Sequence, residues 1–123
     1  MAGFKIGRLT EDMKRELSAL IRELKDPRID PMLSVVKVHL ANDLSHCKVY
    51  VSTIQGMEQT KNSVKGLVSA SGYLKRQIGQ RLHLRKIPEL TFVADDSIAY
   101  GSHIIQIMEE LDQKEGEDHD SSL

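Results

Sequence analysis

Between positions 75 and 86 the chain carries Lys75, Arg76, Arg81, His83, Arg85 and Lys86, and no carboxylate follows until Glu89. Six cationic or potentially cationic groups in twelve positions form a run of one sign, whereas a solvated surface ordinarily intersperses both. The chemistry such a run offers is electrostatic attachment to a polyanion, with no bond made or broken. Lys61 and Lys65 stand one helical turn apart just upstream and extend the run. Near the N-terminus, Arg8, Arg15 and Arg22 recur every seven residues. On a helix they would share one outward face, and long guanidinium side chains in a row suit phosphates. A solvated helix face explains the same stripe more simply, because Glu11 precedes Arg15 by four and makes an ordinary stabilising pair.

Reactive chemistry finds less support. Cys47 is the only cysteine, so no internal disulfide is possible, and no motif sets a base beside it. A free thiol in a strand reads as a small buried hydrophobe. The five histidines (His39, His46, His83, His103 and His119) form no i,i+4 pair flanking a helical Glu, so no metal site is expected. Asp95-Asp96 precedes Ser97 at a helix start and reads as capping groups rather than as a carboxylate pair for acid–base work. There is neither a Walker loop nor a GxGxxG fingerprint. No cofactor is expected, and no enzyme.

The elements that must hold these cations follow from periodicity. Ile6, Leu9, Met13, Leu17, Leu20, Ile21 and Leu24 recur at spacings of three and four and predict an amphipathic helix over about 5–25, stopped by Pro27. Residues 33–40 alternate as a strand, with Val36, Val38 and Leu40 on one face and Lys37 and His39 on the other. Asn42-Asp43 opens a turn, and 47–54 forms a second strand in hairpin with the first. After Gly56 the pattern is helical, with Val64, Leu67 and Val68 inward. Ser69-Ala70-Ser71-Gly72 interrupts it, and Leu74, Ile78 and Leu82 restore it to about His83. Small residues and a glycine weaken a straight helix, so Ala70, Ser71 and Gly72 predict a kink. A third strand covers 89–94, a last helix runs to about Asp112, and 113–123 reads as a disordered acidic tail.

Composition bounds the rest. The chain has 123 residues, 40% apolar and 28% charged, which suits one domain over 1–112 with a single core. Aromatics make up 4%, so base stacking has few rings to use. The net charge of −1 hides an asymmetry: residues 109–123 hold seven acids and one base, a net of −6, and residues 1–108 hold 11 acids and 16 Lys or Arg, a net of +5. The N-terminus lacks an apolar signal core and no apolar run is long enough to span a membrane, so a cytoplasmic protein is expected. A monomer is expected as well. The element order, with a three-stranded sheet and helices packed on one face, is α+β: α-β-β-α-kink-α-β and a C-terminal helix, the arrangement of a KH-type RNA-binding domain. The GXXG loop by which such domains clamp nucleic acid is missing, since the joint reads Ser69-Ala70-Ser71-Gly72.

Several motifs, in order, resemble the ribosome-binding factor A family. They are Asp26-Pro27-Arg28 after the first helix, then Asn42-Asp43-Leu44-Ser45 with Lys48-Val49-Tyr50-Val51-Ser52. Ala70-Ser71-Gly72 stands at the kink. Leu82-His83-Leu84-Arg85, Pro88-Glu89-Leu90, Phe92, Asp95 and Ser97 complete the series. The resemblance covers about residues 5–112. One position departs from it: three residues past the kink glycine the family usually has Arg, and here it is Lys75, which keeps the charge but lacks the bidentate fork. The resemblance implies a KH-type II-like fold and binding to 16S rRNA on the free, immature 30S subunit. It also implies assistance to late 16S maturation, including 5′-end processing, importance in cold adaptation, and dissociation by an assembly GTPase. The expected RNA-binding residues are Arg8, Arg15, Arg22, Arg28, Lys61, Lys65, Lys75, Arg76, Arg81, Arg85 and Lys86. The rival expectation is a protein-interaction module whose basic face is incidental.

Overall fold

The computed structural model describes residues 2–98. Helix α1 spans Ala2–Glu23 and is followed by β1 (Ser34–Leu40), β2 (His46–Ser52), α2 (Met57–Ser69), α3 (Ser71–Arg81) and β3 (Glu89–Ala94). The expected last helix and acidic tail lie outside the described residues.

The apolar stripe of α1 buries Met13, Leu17, Leu20 and Ile21, with Ile6 and Leu9 packed at its edge. The helix ends before Pro27, its last turn tightened by Leu24 N–H donating to the Ile21 carbonyl at 3.2 Å. β1 and β2 pair antiparallel from Ser34 opposite Ser52 to Leu40 opposite Cys47. β3 pairs parallel to β2, which makes β2 the central strand. A parallel neighbour requires a crossover, and α2 and α3 supply it. Val38, Leu40, Cys47, Val49, Val51 and Phe92 face Leu67, Leu74 and Ile78 in one core. The three described helices therefore lie on one face of the sheet, and the alternate strand positions are left on the other.

Two inward assignments change. A β-bulge shifts the register between Val35 and Lys37. The extra residue breaks the strict alternation, so Val35 packs against the core while Val36 is half-buried outside it. On α2, Leu67 is buried and Val64 packs against the core, but Val68 is 56% exposed, and the inward face is completed by Thr60, Ser63 and Gly66. These are not apolar spacers. Thr60 Oγ1 accepts from Thr53 N–H at 3.3 Å and donates to the Gly56 carbonyl at 3.0 Å, and Ser63 Oγ accepts from Asp30 N–H at 2.9 Å. A close-packed, hydrogen-bonded side replaced the purely apolar one that hydrophobic periodicity selects.

Candidate nucleic-acid interface

Ala70 alone joins α2 to α3. At φ −93° and ψ 4° it leaves helical geometry, yet its N–H still reaches the Gly66 and Leu67 carbonyls at 3.1 Å and its own carbonyl accepts from Leu74 N–H at 2.9 Å. The bend thus keeps the bonds on either side of Ala70, from Ala70 N–H to Gly66 and from Leu74 N–H to Ala70. Ser71 and Gly72 already belong to the first turn of α3. A Cβ built on Gly72 would meet nothing within 4 Å, so this glycine does not serve close helix packing. It leaves bare backbone at the surface. Around it lie the exposed Val68 and Tyr73, the latter 40% exposed.

Lys61 and Lys65 on α2 and Arg76 on α3 occupy the solvent side of the same bent pair of helices. They are exposed, and no ion pair involves them among the described residues. The other members of the one-sign run are drawn apart. Lys75 is bonded to Glu89 at the start of β3. Arg81 reaches back to α1, to Glu16 at 3.3 Å and Glu23 at 3.4 Å. His83 sits in the left-handed region at φ 52°, in the place a glycine usually takes when Leu84 N–H closes onto the Gly79 carbonyl at 3.0 Å. That turn throws Arg85 and Lys86 off the helix axis. Arg85 is exposed, and Lys86 Nζ donates to the Asp43 carbonyl at 3.4 Å in the hairpin turn. A run free of acids in sequence is therefore met in space by carboxylates from α1 and β3.

On α1, Arg8, Arg15 and Arg22 are all exposed. Arg15 is paired with Asp12 at 3.2 Å and Glu16 at 3.8 Å, rather than with Glu11. Arg22 borders a cleft of about 510 Å³ between the end of α1 and the loop from Asp26 to Leu33. Arg28 lies in that loop and is held by it: Nη2 donates to Asp26 Oδ2 at 2.7 Å and to Ser69 Oγ at 3.1 Å, and Nε donates to Asp26 Oδ1 at 3.1 Å. These bonds hold the Asp26 carboxyl below its usual range, the Arg28 side chain first and the Arg28 N–H second.

Among the described residues, no group of histidines, cysteines and carboxylates could hold a metal. Cys47 is wholly buried, and burial pushes its thiol up to about 11, which leaves it protonated and unreactive at neutral pH. Asp95 acts as a cap, its Oδ1 accepting from Ser97 N–H at 2.7 Å. The sequence reading overlooked Lys48 and Tyr50 of β2 as surface groups. The period-two alternation of buried Cys47, Val49 and Val51 was the signal that sets them on the opposite face.

The family model described as Ribosome-binding factor A matches residues 5–108. A ribosome-binding factor A of Clostridium tetani is 43% identical over 122 residues, covering 98% of this chain and 99% of the relative. One from Desulfitobacterium hafniense is 44% identical over 125 residues, covering 98% and 99%. The crystal structure of ribosome-binding factor A from Thermus thermophilus superposes with a TM-score of 0.64 at 31% identity, over 72% of this chain and 92% of that one. A homology model of the Thermus thermophilus factor, fitted into a cryo-electron-microscopy map of its complex with 30S, gives 0.61 at 30% identity, over 72% and 93%.

Proposed function

The chain belongs to the ribosome-binding factor A family, and from that membership we propose that it is a non-catalytic assembly factor that binds 16S rRNA on the free, immature 30S subunit. It acts in the cytoplasm as a monomer. It assists late maturation of 16S rRNA, including processing of the 5′ end, matters most in the cold, and is released by an assembly GTPase. The observation that carries this reading is the solvent side of the bent α2–α3 pair. There Lys61, Lys65 and Arg76 stand without carboxylate partners among the described residues, beside the bare backbone of Gly72. Arg8, Arg22 and Arg85 add exposed positive charge. Arg15, Arg28, Lys75, Arg81 and Lys86 contribute to the same field while anchored to other parts of the fold. A factor of this kind favours one rRNA conformation by binding it more tightly than its competitor.

The test is sedimentation of cell lysate with detection of this chain. Migration with free 30S subunits and not with mature ribosomes is expected; absence from the 30S fractions would sink the reading. A second reading, a protein-interaction module, draws on the exposed Val68 and Tyr73 beside the kink. Salt dependence separates the two. With about four to six phosphate contacts on single-stranded or mixed RNA, log affinity falls against log salt with a slope of roughly −3 to −5, whereas apolar protein contacts give a nearly flat response.

A further inference from the structure

The helices cover one face of the sheet, and the other face has a chemistry of its own. By register, Lys37 lies opposite Tyr50 and Tyr50 opposite Val93, and in the next row His39 lies opposite Lys48 and Lys48 opposite Thr91. His46 follows on β2, opposite Glu89. Lys37, His39, His46, Lys48 and Thr91 are exposed and Tyr50 is half-buried. Lys37 Nζ stands 5.7 Å from the centre of the Tyr50 ring. Of the acids bounding this face, Glu89 is bonded to Lys75 and lies opposite His46, and Asp95 accepts from Ser97 N–H while its carboxylate also feels the charge of Lys37. Among the described residues no carboxylate separates His39 from Lys48, and the lysine charges of this face suit an anionic ligand laid across the strands.

We propose that the face of the sheet left uncovered among the described residues is a second RNA-binding surface, taking a single-stranded segment with a base on the Tyr50 ring and flanking phosphates on Lys37 and Lys48. The flat ring set among cations is what selects nucleic acid over an acidic polypeptide. Base–aromatic stacking accepts any sequence, and the lysines supply the backbone contacts. This surface lies across the sheet from Lys61, Lys65 and Arg76, so it would bind a different stretch of RNA from the helical side. The inference extends the rRNA-binding reading above but has separate residues, and the two fail separately.

The full-length chain is titrated with a twelve-nucleotide oligouridylate, followed by fluorescence anisotropy and by amide shifts of the labelled protein. The expected result is shifts in β1 and β2, with Lys37→Gln/Lys48→Gln weakening binding about tenfold near 0.15 M salt and flattening the log–log salt slope by about 1.4, the loss of two single-strand phosphate contacts. Tyr50→Leu keeps an apolar group in place and should weaken binding without altering that slope. Lys65→Gln/Arg76→Gln serves as the helical control and should leave the β1 and β2 shifts in place. Unchanged affinity in the Lys37→Gln/Lys48→Gln protein, its melting curve intact, overturns the proposal and leaves the helical reading standing. Shifts confined to α2 and α3 do the same. Oligoglutamate producing the same shifts at equal affinity also overturns it, since the face would then recognise negative charge alone.

Discussion

Arg28, in the loop after α1, donates to Ser69 Oγ, 41 positions further along the chain, at 3.1 Å. The contact pins the Asp26-Pro27-Arg28 loop to the last residue of α2, one position before the bend at Ala70. Beneath it Ile29 lies against Gly66, where an added Cβ would come within 2.7 Å of Ile29 Cγ1. Asp30 N–H bonds to Ser63 a turn earlier. The signature tripeptide thus has a structural task at the kink, and Arg28 combines a fold contact with a half-exposed positive charge.

That geometry makes Arg28 stability-bearing in a pH-dependent way. The Asp26 carboxyl is held low by Arg28, so the folded chain binds that proton less readily than the unfolded one. The stabilisation is complete above the unfolded carboxylate value, about 4, and is lost as pH falls through the lowered folded value. Arg28→Ala should therefore show a lower urea midpoint than the parent at pH 5–7, with the gap closing below about pH 4. A gap of constant size down to the acid limit would rule out the Asp26 contact as its source.

Gly79 offers a packing test. A Cβ there would lie 2.9 Å from Ile87 Cγ1 and press harder on its terminal methyl. Gly79→Ala gains about 1 kcal/mol of helix propensity but overpacks the seat of Ile87, at about 1–3 kcal/mol, so a net loss of up to about 2 kcal/mol is expected in urea denaturation. In an Ile87→Val background the terminal methyl is gone, and the penalty of Gly79→Ala should shrink. Additive effects of the two changes would show that the contact is relieved elsewhere.

Gly72 is the opposite case. With open space around its missing Cβ and no positive φ, Gly72→Ala should raise thermal stability, by up to about 1 kcal/mol from helix propensity. It should at the same time weaken 30S binding, because the methyl stands where a phosphate backbone would approach. The readouts are a thermal melt and a 30S pelleting assay. A variant that is more stable and binds equally well would remove the kink backbone from the interface.

Much of this fold was legible from periodicity alone. The third strand falls on 89–94 as expected, and α1 shifts by only two or three residues at each end. The misses share a cause. Val68 and Val36 are apolar in type, but a hydrogen-bonded Thr60 and Ser63 claim the inner side of α2, and a bulge moves Val36 out of step. Both depend on partners elsewhere in the chain, which a local window does not contain. The charge run illustrates the same point: nothing near Arg81 in sequence indicates that Glu16 and Glu23, 65 and 58 positions away, would meet it.

Arg76 and Arg81, five positions apart on α3, are consequently predicted to separate by function. Arg76 is exposed and unpaired among the described residues, whereas the Arg81 side chain is one-third exposed and ties α3 to α1 through two carboxylates. Arg81→Gln should cost roughly 0.5–1 kcal/mol, the usual worth of a partly exposed ion-pair network, and lower 30S affinity less than Arg76→Gln does. Arg76→Gln should leave the melting temperature within error of the parent, yet weaken 30S binding severalfold at about 0.1 M salt and reduce the salt slope by nearly one contact. Both variants are compared in the same urea titration and the same pelleting assay across salt. Equal losses of binding in the two would mean that the carboxylates of α1 do not withdraw Arg81 from the RNA, and that sequence proximity rather than spatial pairing decides which cations bind.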